Sequence, residues 1–448
     1  MAASPSTARA LNDRLALRLL QREGPLTAAR LKQLTGLSRP TVADLVERLT
    51  AAGLIEVAGE SREQRRGPNA RLYGIVADRA HLAALDVRTE SVAVLVSDLL
   101  GRVLAEASVP IGDDTRTGPA VERAVTLVER TVKEAGAERL HTVGIGAPGL
   151  IDPAGGELRD SSGLPAWHRR LVAALQERFP AARIGVENET NLAALAEQRD
   201  GAARDRETFV LLWLGLGIGA GVVLDGTLRR GVSGGAGEIG FLPVPGAGGL
   251  PSSGDCHGGF HSLAGAAAVT ALAAEHGVGA GPADDAARPR GPAGPPGAGG
   301  GRAGDAVDPG DPPGSGSGAV ARPAAARITP EGVVEPEPRA AVLVRAAVRD
   351  LGADAAAGRF LDDLADRVAL GAAAVVSVLD PGCLVLAGEI GRAGGEALAA
   401  RVQDRLDRIS PLATEVRPTA LGGGAVLRGA LLTARDRAQD VLFAPLAP

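Results

Sequence analysis

The chain contains very few aromatic residues, cysteines and lysines. Only 2% of its 448 residues are aromatic, and the two cysteines are Cys256 and Cys383. Two cysteines exclude a framework of disulfides, which predicts a reducing, cytoplasmic location. Because hydrophobic residues still make up 45% of the chain, its core must consist mainly of Ala, Val and Leu.

The sequence also lacks a long, uninterrupted apolar segment. Its longest apolar run, "FVLLWLGLGIGAGVVL", contains four glycines and is shorter than the ~20 residues of a membrane-spanning helix. The N-terminus does not show the basic-then-apolar order of a signal peptide. We therefore expect no membrane partner, and the length of the chain predicts two or three domains.

Positive charge is concentrated at the N-terminus. Residues 1–75 contain twelve Lys or Arg and seven Asp or Glu, a net charge of +5, whereas the whole chain carries −5. The remainder therefore carries −10. A basic region on an acidic body indicates that this region alone meets a polyanion such as DNA.

The basic region begins with a pattern typical of short helices. The run "ALNDRLALRLLQRE" places Leu11, Leu15, Arg18 and Leu19 on one side of a first helix. A second helix is predicted to begin after Thr27 as its N-cap. It should end at Gly36.

A third helix is predicted after Ser38, which is suited to cap it, and before Gly53. Its apolar residues recur at i, i+3, i+4 and i+7 and should face inward: Val42, Leu45, Val46 and Leu49. The second helix of a helix–turn–helix presents its N-terminal residues to the major groove. The DNA-binding candidates on it are Ser38, Arg39, Thr41 and Asp44.

The runs "LIEV" and "RLYGI" flank "AGESREQRRGPNA" and predict a β-hairpin, the wing. Its tip carries Arg62, Arg65 and Arg66, which are placed to contact phosphates or the minor groove. The alternative is a small helical oligomerisation domain with a charged loop. Helix spacing, cap, glycine stop and basic hairpin agree with one another, which favours a winged helix–turn–helix over residues 1–77.

The pattern changes from about residue 80 onward. The run "HLAALDVRTESVAVLVSDLLGRVLAEASV" predicts three strands and two turns, the second at Gly101. A helical run, "PAVERAVTLVERTVKEAG", and a further strand in "TVGIGAPGLID" follow. Strands alternating with helices predict an α/β fold.

The order of the later motifs resembles the ROK family (repressors, open reading frames and sugar kinases). The resemblance rests on "VENETN" and "GLGIGAGVVLDGTLRRGVSGGAGEIG", with "VLDPGCLVLAGEIG" and "ALGGGAVLRGALLTA" near the end. It implies a two-lobed, actin-like ATPase (sugar kinase-like) fold, here over residues 80–276 and 341–448. With a helix–turn–helix in front, the chain is similar to the repressor branch, in which the body senses a sugar.

Between the two parts of this body lies a Gly-, Pro- and Ala-rich segment, residues 277–340. It has no helical or strand period and few large apolar residues, so burial cannot offset the entropy lost on ordering it. We predict a disordered insert.

The resemblance also allows a test of catalysis. ROK kinases hold phosphates with an Asp-x-Gly-Gly-Thr-Lys turn, whereas residues 86–91 here read "DVRTES". Both glycines, which let backbone amides approach a phosphate, are absent. The lysine position holds Glu90 or Ser91, according to the alignment.

The position of the catalytic base is altered as well. Glu189 stands where the family has an aspartate, and ~1 Å of misplacement can cost on the order of 10²-fold in rate. A glycine loop is retained and either binds anions or forms a tight turn: Gly215, Gly217, Gly219 and Gly221. We therefore expect no enzyme and no cofactor, with Glu189 at most a ligand clamp.

By resemblance, a sugar would face Asn188, Glu189, Glu238, a His and a later Glu. Carboxylates and amides suit sugars because each pairs with neighbouring hydroxyls. The His position holds Phe241, and the later Glu position aligns with His261. The ligand-binding candidates are Asn188, Glu189, Glu238 and His261.

The zinc site of the family uses the same His and three cysteines. Zinc needs about four N or S ligands, and this region offers Cys256, His257 and His261. We expect no metal; a makeshift site from these three residues is the alternative.

Three functions compete at this point. The first is a DNA-binding transcriptional regulator, a repressor of sugar-related genes, with a double-stranded DNA operator, a sugar effector and a homodimeric or homotetrameric state. The second is an active ATP-dependent sugar kinase with a vestigial head. The third, a structural scaffold, leaves the basic head unexplained, and the altered turn at residues 86–91 argues against the second.

Overall fold

The computed structural model describes residues 5–61, 70–112, 115–159, 165–252, 258–279 and 337–444. The predicted wing-tip contacts Arg62, Arg65 and Arg66, the candidate zinc ligands Cys256 and His257, and most of the predicted insert lie outside these residues. Within the described ranges, no helix is both long and apolar enough to cross a membrane.

The N-terminal head is a winged helix. Its strands form an antiparallel sheet in the order β1-β3-β2, and β2 and β3 are the predicted hairpin. The helices and strands are α1 (Pro5–Glu23), β1 (Leu26–Thr27), α2 (Ala28–Thr35), α3 (Arg39–Ala51), β2 (Ile55–Glu60) and β3 (Arg71–Ile75).

The predicted helix boundaries of the head are confirmed. The Thr27 hydroxyl accepts a hydrogen bond from the Arg30 N–H at 3.1 Å, and Gly36 ends α2 in the left-handed region with φ of 70°. The Ser38 hydroxyl caps α3 by accepting from the Thr41 N–H at 3.3 Å. The predicted inward face of α3 is buried: Val42, Leu45, Val46 and Leu49.

The side of α1 that faces the core differs from the side that carries Leu11, Leu15 and Arg18. Leu11 and Leu15 are 60% and 42% exposed, and Arg18 is exposed beside them. The buried face consists of Ala16, Leu17, Leu19 and Leu20. Because leucines occupy five of the ten positions 11–20, the sequence supports two overlapping apolar stripes, and packing selects the second.

The first lobe of the body is a five-stranded sheet in the order β6-β5-β4-β7-β8. The three strands β4, β5 and β6 are antiparallel, β7 and β8 add in parallel, and Gly101 forms the β5–β6 turn with φ of 88°. The elements are β4 (His81–Val87), β5 (Ser91–Ser97), β6 (Val103–Pro110), α4 (Thr117–Glu134), β7 (Leu140–Ala147), α5 (Trp167–Arg178) and β8 (Arg183–Asn188).

The second lobe repeats the same strand arrangement, in the order β11-β10-β9-β12-β13. This repetition confirms the two-lobed fold. Its strands are β9 (Phe209–Leu214), β10 (Ile218–Leu224), β11 (Thr227–Leu228), β12 (Cys383–Ala387) and β13 (Glu415–Pro418). The remaining helices are α6 (Glu189–Asp200), α7 (His261–Ala264), α8 (Ala266–Glu275), α9 (Arg339–Arg349), α10 (Ala355–Leu379), α11 (Gly388–Ile409) and α12 (Ala425–Leu442).

Helix α9 begins at Arg339, at the end of the range 277–340 that was predicted as the insert. Helix α9 has a strongly apolar face, with Leu343 and Val344 buried among the second-lobe core residues. The first residues of this helix therefore belong to the segment whose Gly-, Pro- and Ala-rich composition predicted the insert.

Helices α6 and α12 cross closely between the lobes. Gly429 of α12 lies against the backbone of Leu192 in α6, so that a larger side chain there would collide with the neighbouring helix. Ion pairs join the two helices further along: Arg199 to Asp436 at 2.8 Å and Arg428 to Asp200 at 2.5 Å. Helix α12 also packs on β4 and β7 of the first lobe.

The head is packed on the body through one continuous apolar core. Leu17 and Leu20 of α1 belong to the same buried cluster as Leu82 of β4, Leu431 of α12 and Phe443. An ion pair between Arg14 and Asp440 joins the surfaces of α1 and α12 beside this core. The DNA-reading candidate surface is therefore anchored on the C-terminal helix of the body.

Candidate functional sites

The head presents a concave surface between α2, α3 and the wing strands. It encloses about 930 Å³, and its lining includes Lys32, Arg39, Arg71, Val57 and Tyr73. Lys32, Arg39 and Arg71 are exposed. A groove with cations along its wall is the arrangement that DNA phosphates and base edges require. Arg39 was predicted from the sequence as a DNA contact. Lys32 and Arg71 were not, although each adds basic charge, on α2 and at the start of β3.

Two of the predicted DNA contacts are occupied with holding α3 in place. The Ser38 hydroxyl, besides capping the helix, lies 2.8 Å from the Thr41 hydroxyl. Asp44 pairs with Arg48, which also donates to Asp13 of α1 at 2.6 Å. The structure brings the four candidates of α3 to the same end of the helix, with Arg39 the exposed cation among them.

The second surface is a cavity between the lobes. The four ligand-binding candidates, Asn188, Glu189, Glu238 and His261, line one cavity of about 460 Å³. The same cavity is lined by Trp213 and Phe241, and by glycines of the β9–β10 loop. Its size and its mixture of aromatic walls and a few polar groups are typical of a small-molecule site.

Asn188 acts within this cavity mainly as a positioning residue. Its side-chain oxygen caps α6 by accepting from the N–H groups of Thr190 and Asn191 at 2.9 and 3.3 Å. Its amide nitrogen donates to the Glu189 carboxyl at 2.9 Å and to the Gly149 carbonyl at 3.1 Å. Both amide protons and the oxygen are therefore used, and the amide fixes Glu189 and the loop after β7.

Glu189 is held in an environment that disfavours its charge. Burial raises the pKa of its carboxyl to about 8; the nearby Asp86 and Glu238 also raise the pKa, while the N–H of Glu189 itself and the Arg88 guanidinium lower it. Glu189 therefore carries a proton at neutral pH and can donate a hydrogen bond. Partial burial at the cavity wall also raises the pKa of Glu238.

His261 closes one side of the cavity as a neutral ring. Its Nδ1 accepts a hydrogen bond from the Ile218 N–H at 3.2 Å, and burial lowers the pKa of the imidazole. The opposite edge of the ring lies against Gly240, where a side chain would collide with it. Phe241 meets the same ring edge-on with centroids 5.4 Å apart.

The raised pKa of Glu189 predicts a pH-dependent effect of an E189Q substitution. The folded protein keeps this proton up to about pH 8, whereas the unfolded chain releases it near the ordinary value of 4.5. The wild-type free energy of unfolding therefore loses this contribution as pH rises between these values, by at most about 1.4 kcal/mol per pH unit. Glutamine imitates the protonated carboxyl and carries no such loss.

Thermal melts of E189Q and wild type should therefore diverge as pH rises from about 5 to about 8, with E189Q melting increasingly higher. The matched control is E134Q, on the exposed end of α4, whose melting difference from wild type should stay constant. A melting difference for E189Q that does not change with pH would contradict the assignment of a protonated Glu189.

In the altered turn at residues 86–91, the Arg88 guanidinium forms ion pairs that were not predicted from the sequence. Arg88 donates through Nε to Asp86 at 3.1 Å and through a terminal nitrogen to Glu389 at the start of α11 at 2.8 Å. Burial lowers the pKa of His168 to about 4. This neutral ring lies 3.2 Å through Nε2 from the Arg88 carbonyl. The cavity beside the ion pair holds only about 40 Å³.

The retained glycine loop is a tight turn at the same place. The Gly215 N–H donates to the Gly217 carbonyl at 3.1 Å, and a side chain at Gly215 would collide with the Glu389 carboxyl. Gly221 lies against α6 at Ala194 and Thr190. The glycines thus allow the close approach of Glu389 and α6, and they turn β9 into β10.

Within the described ranges, no group of three or more His, Cys, Asp or Glu side chains has an arrangement that could hold a metal ion. Of the three residues weighed for a makeshift site, only His261 lies in those ranges. The expectation of no metal stays a prediction.

Fold and site together define a class: a winged-helix head joined to a two-lobed, sugar-kinase-like body with a cavity between its lobes. Residues 82–284 match the model of the ROK family, and residues 11–67 match a model of the MarR family. Residues 82–284 are thus identified as a ROK family domain, which follows an N-terminal domain that matches the MarR family.

Curated relatives carry the names of regulators. The chain is 26% identical over 238 residues to the xylose repressor of Caldicellulosiruptor bescii, a match covering 52% of this chain and 59% of the relative. It is 28% identical over 271 residues to the DNA-binding transcriptional dual regulator NagC of Escherichia coli K12, covering 58% and 63%. The chain therefore spans less than two thirds of the length of these relatives.

Solved structures show the same fold. A crystal structure of a ROK family transcriptional regulator, described as a homologue of the E. coli MLC protein, superposes with a TM-score of 0.68 at 18% identity, covering 97% of this chain and 98% of the other. The ROK hexokinase of Thermus thermophilus superposes with a TM-score of 0.55 at 26% identity, covering 80% and 99%. The first match extends over nearly the whole chain, and the second over four fifths of it.

Proposed function

We propose that the protein is a DNA-binding transcriptional regulator that represses sugar-related genes in the cytoplasm. The observation that carries this proposal is the cationic groove of the winged helix, with Arg39 exposed at the start of α3 and Lys32 and Arg71 beside it. The names of the relatives support it. The double-stranded operator would receive the start of α3 in its major groove.

We further propose a homodimer or homotetramer. Each chain offers one helix–turn–helix, and regulators of this kind read two half-sites through two copies related by symmetry. The ion pair and shared core between α1 and α12 hold each head firmly on its own body. The spacing of the two half-sites would therefore be set by the contact between bodies.

The effector proposed for the interlobe cavity is an unphosphorylated sugar. Glu189 can donate through its proton, and Glu238 offers carboxyl oxygens to the hydroxyls of a ring stacked near Trp213. The described lining of the cavity includes two glutamates and neither lysine nor arginine. A phosphorylated sugar would enter beside these carboxyl groups without a cation to pair with.

The body is proposed to be non-catalytic, in contrast to the alternative of an active ATP-dependent sugar kinase. The turn that would hold phosphates lacks its glycines, and the Arg88–Glu389 ion pair occupies the adjacent cleft. A coupled ATP-consumption assay across hexoses and pentoses should stay at background. Turnover that rises with sugar concentration and disappears in E189Q would instead establish the kinase.

Genome-wide mapping of the DNA bound by this protein, with and without candidate sugars, tests the proposed function. We expect a small set of enriched sites, including one near its own gene and others at sugar-related genes, and weaker occupancy when the effector sugar is supplied. Binding without enrichment at particular sites would contradict a role in transcriptional regulation.

A further inference from the structure

The cleft between the lobes is bridged by a short ion pair. Arg88 belongs to the β4–β5 turn of the first lobe, and Glu389 begins α11 of the second lobe. The two side chains are only 21% and 15% exposed, so water screens their attraction much less than it would at the surface. The pair therefore resists separation of the lobes at this point.

The segment that carries Glu389 lies between two glycines in left-handed backbone conformations. Gly388 has φ of 77° and lies against the Leu214 backbone, whereas Gly395 interrupts α11 with φ of 47° and ψ of −143°. Nothing lies within 4 Å of the position that a side chain at Gly395 would take. A short element bounded in this way is suited to rotate as a unit about its ends.

Helix α12 connects this cleft to the head. Gly422 and Gly423, just before α12, and Val426 in its first turn line the same small cavity as Arg88 and Glu389. The helix has 18 residues and so extends for about 27 Å. Its far end packs on α1 of the head through the Arg14–Asp440 ion pair and the core around Phe443.

The proposed effector cavity is linked to the Arg88–Glu389 ion pair in two ways. Trp213 lines both the effector cavity and the small cavity beside Arg88. The guanidinium of Arg88 and the carboxyl of Asp86 both act electrostatically on Glu189. A ligand that moves Glu189 or Trp213 therefore also changes the surroundings of Arg88.

We propose that the Arg88–Glu389 ion pair is a latch that holds the two lobes in the DNA-binding arrangement, and that its release reaches the head through α12. The inference rests on the proposed function and adds how the effector cavity would be coupled to the DNA-binding surface. Coupling between two such sites typically amounts to a 5–150-fold change in affinity.

The test uses the full chain and a duplex containing a site recovered by genomic mapping with the wild type. R88A and E389A should each weaken binding to this duplex by about 5-fold or more without any sugar present. The double variant R88A/E389A should bind no worse than R88A alone, because R88A already removes the pair with Glu389 together with the bond to Asp86. Small-angle X-ray scattering should show a larger radius of gyration for E389A than for wild type.

The matched control is D366N, which neutralises a carboxylate of an ion pair inside the second lobe, 2.7 Å from Arg405. It should bind DNA like the wild type. If both single variants bind like the wild type, the latch is refuted while the proposed function stands. If the losses of DNA affinity in the two single variants add up in the double variant, the latch is also refuted. If the wild-type protein binds no DNA, both the latch and the proposed function are refuted. Thermal melts of each variant identify any loss that comes from unfolding.

Discussion

Substitution of Glu197 by alanine is expected to prevent this chain from folding stably. The Glu197 side chain lies in α6 and is fully buried. Its carboxyl accepts hydrogen bonds from the N–H groups of Ala202 at 2.6 Å, Ala420 at 3.1 Å and Leu421 at 3.2 Å, and from the Thr419 hydroxyl. This one carboxyl therefore holds the end of α6 to the segment that leads into α12.

The size of the expected effect follows from the donors that alanine would leave without an acceptor. A buried, unsatisfied polar group costs about 1–3 kcal/mol. The three N–H groups and the hydroxyl that depend on Glu197 are partly buried, so the lower end of this range applies to each of them. Their sum approaches the lower end of the total stability of a typical domain, about 5–15 kcal/mol. Glu197→Gln should destabilise less, because one oxygen remains, although its NH₂ group would face donors.

Chemical denaturation and thermal melts of E197A, E197Q and the exposed control E177A measure this effect. E177A, on α5, should melt like the wild type, E197Q should melt lower, and E197A should be largely unfolded or aggregated. An E197A variant that melts within a few degrees of E177A would show that α6 and the segment before α12 do not depend on this carboxyl.

Substitution of Arg39 by alanine is expected to remove most of the preference of the head for its operator. Arg39 is exposed at the N-terminal end of α3, the end that enters the major groove in a helix–turn–helix. An arginine that pairs with a base edge contributes about 1–3 kcal/mol of discrimination. The ratio of operator affinity to scrambled-duplex affinity should therefore fall by about 5- to 150-fold.

The comparison variant is R65A, at the predicted wing tip. Its arginine is expected to contact phosphates, so R65A should weaken operator and scrambled duplex alike and reduce the dependence of binding on salt. Fluorescence anisotropy titrations of each variant with both duplexes measure the ratio of operator affinity to scrambled-duplex affinity. If R39A and R65A change the ratio of operator affinity to scrambled-duplex affinity equally, the assignment of Arg39 to base contacts and Arg65 to phosphate contacts is contradicted.

Much of the fold was predictable from the sequence because it follows from local patterns. The spacing of Val42, Leu45, Val46 and Leu49 defined the inward face of α3, and the glycines and basic loop between "LIEV" and "RLYGI" predicted the hairpin. Asn188 and Glu189 were predicted to face a ligand because the "VENETN" segment resembles the ROK family, and they lie where β8 ends and α6 begins. Each of these signals involves neighbours in the chain.

The remaining features depend on contacts between distant residues. Arg88 and Glu389 are 301 residues apart, and nothing in the local sequence of either indicates the other. Glu197 reads as one more polar residue of a helix until the segment at residues 419–421 is folded over it. In α1, the choice between two leucine stripes depends on the body, because Leu17 is buried in the same cluster as Leu431 and Phe443.

Equilibrium titration of a duplex containing a mapped site with the purified full chain, repeated at several salt concentrations, tests the central claim most directly. We predict saturable binding at low ionic strength, with an affinity that falls steeply as salt displaces the phosphate contacts of the head. Protein that melts as a folded chain yet leaves the duplex free at low ionic strength would contradict the account.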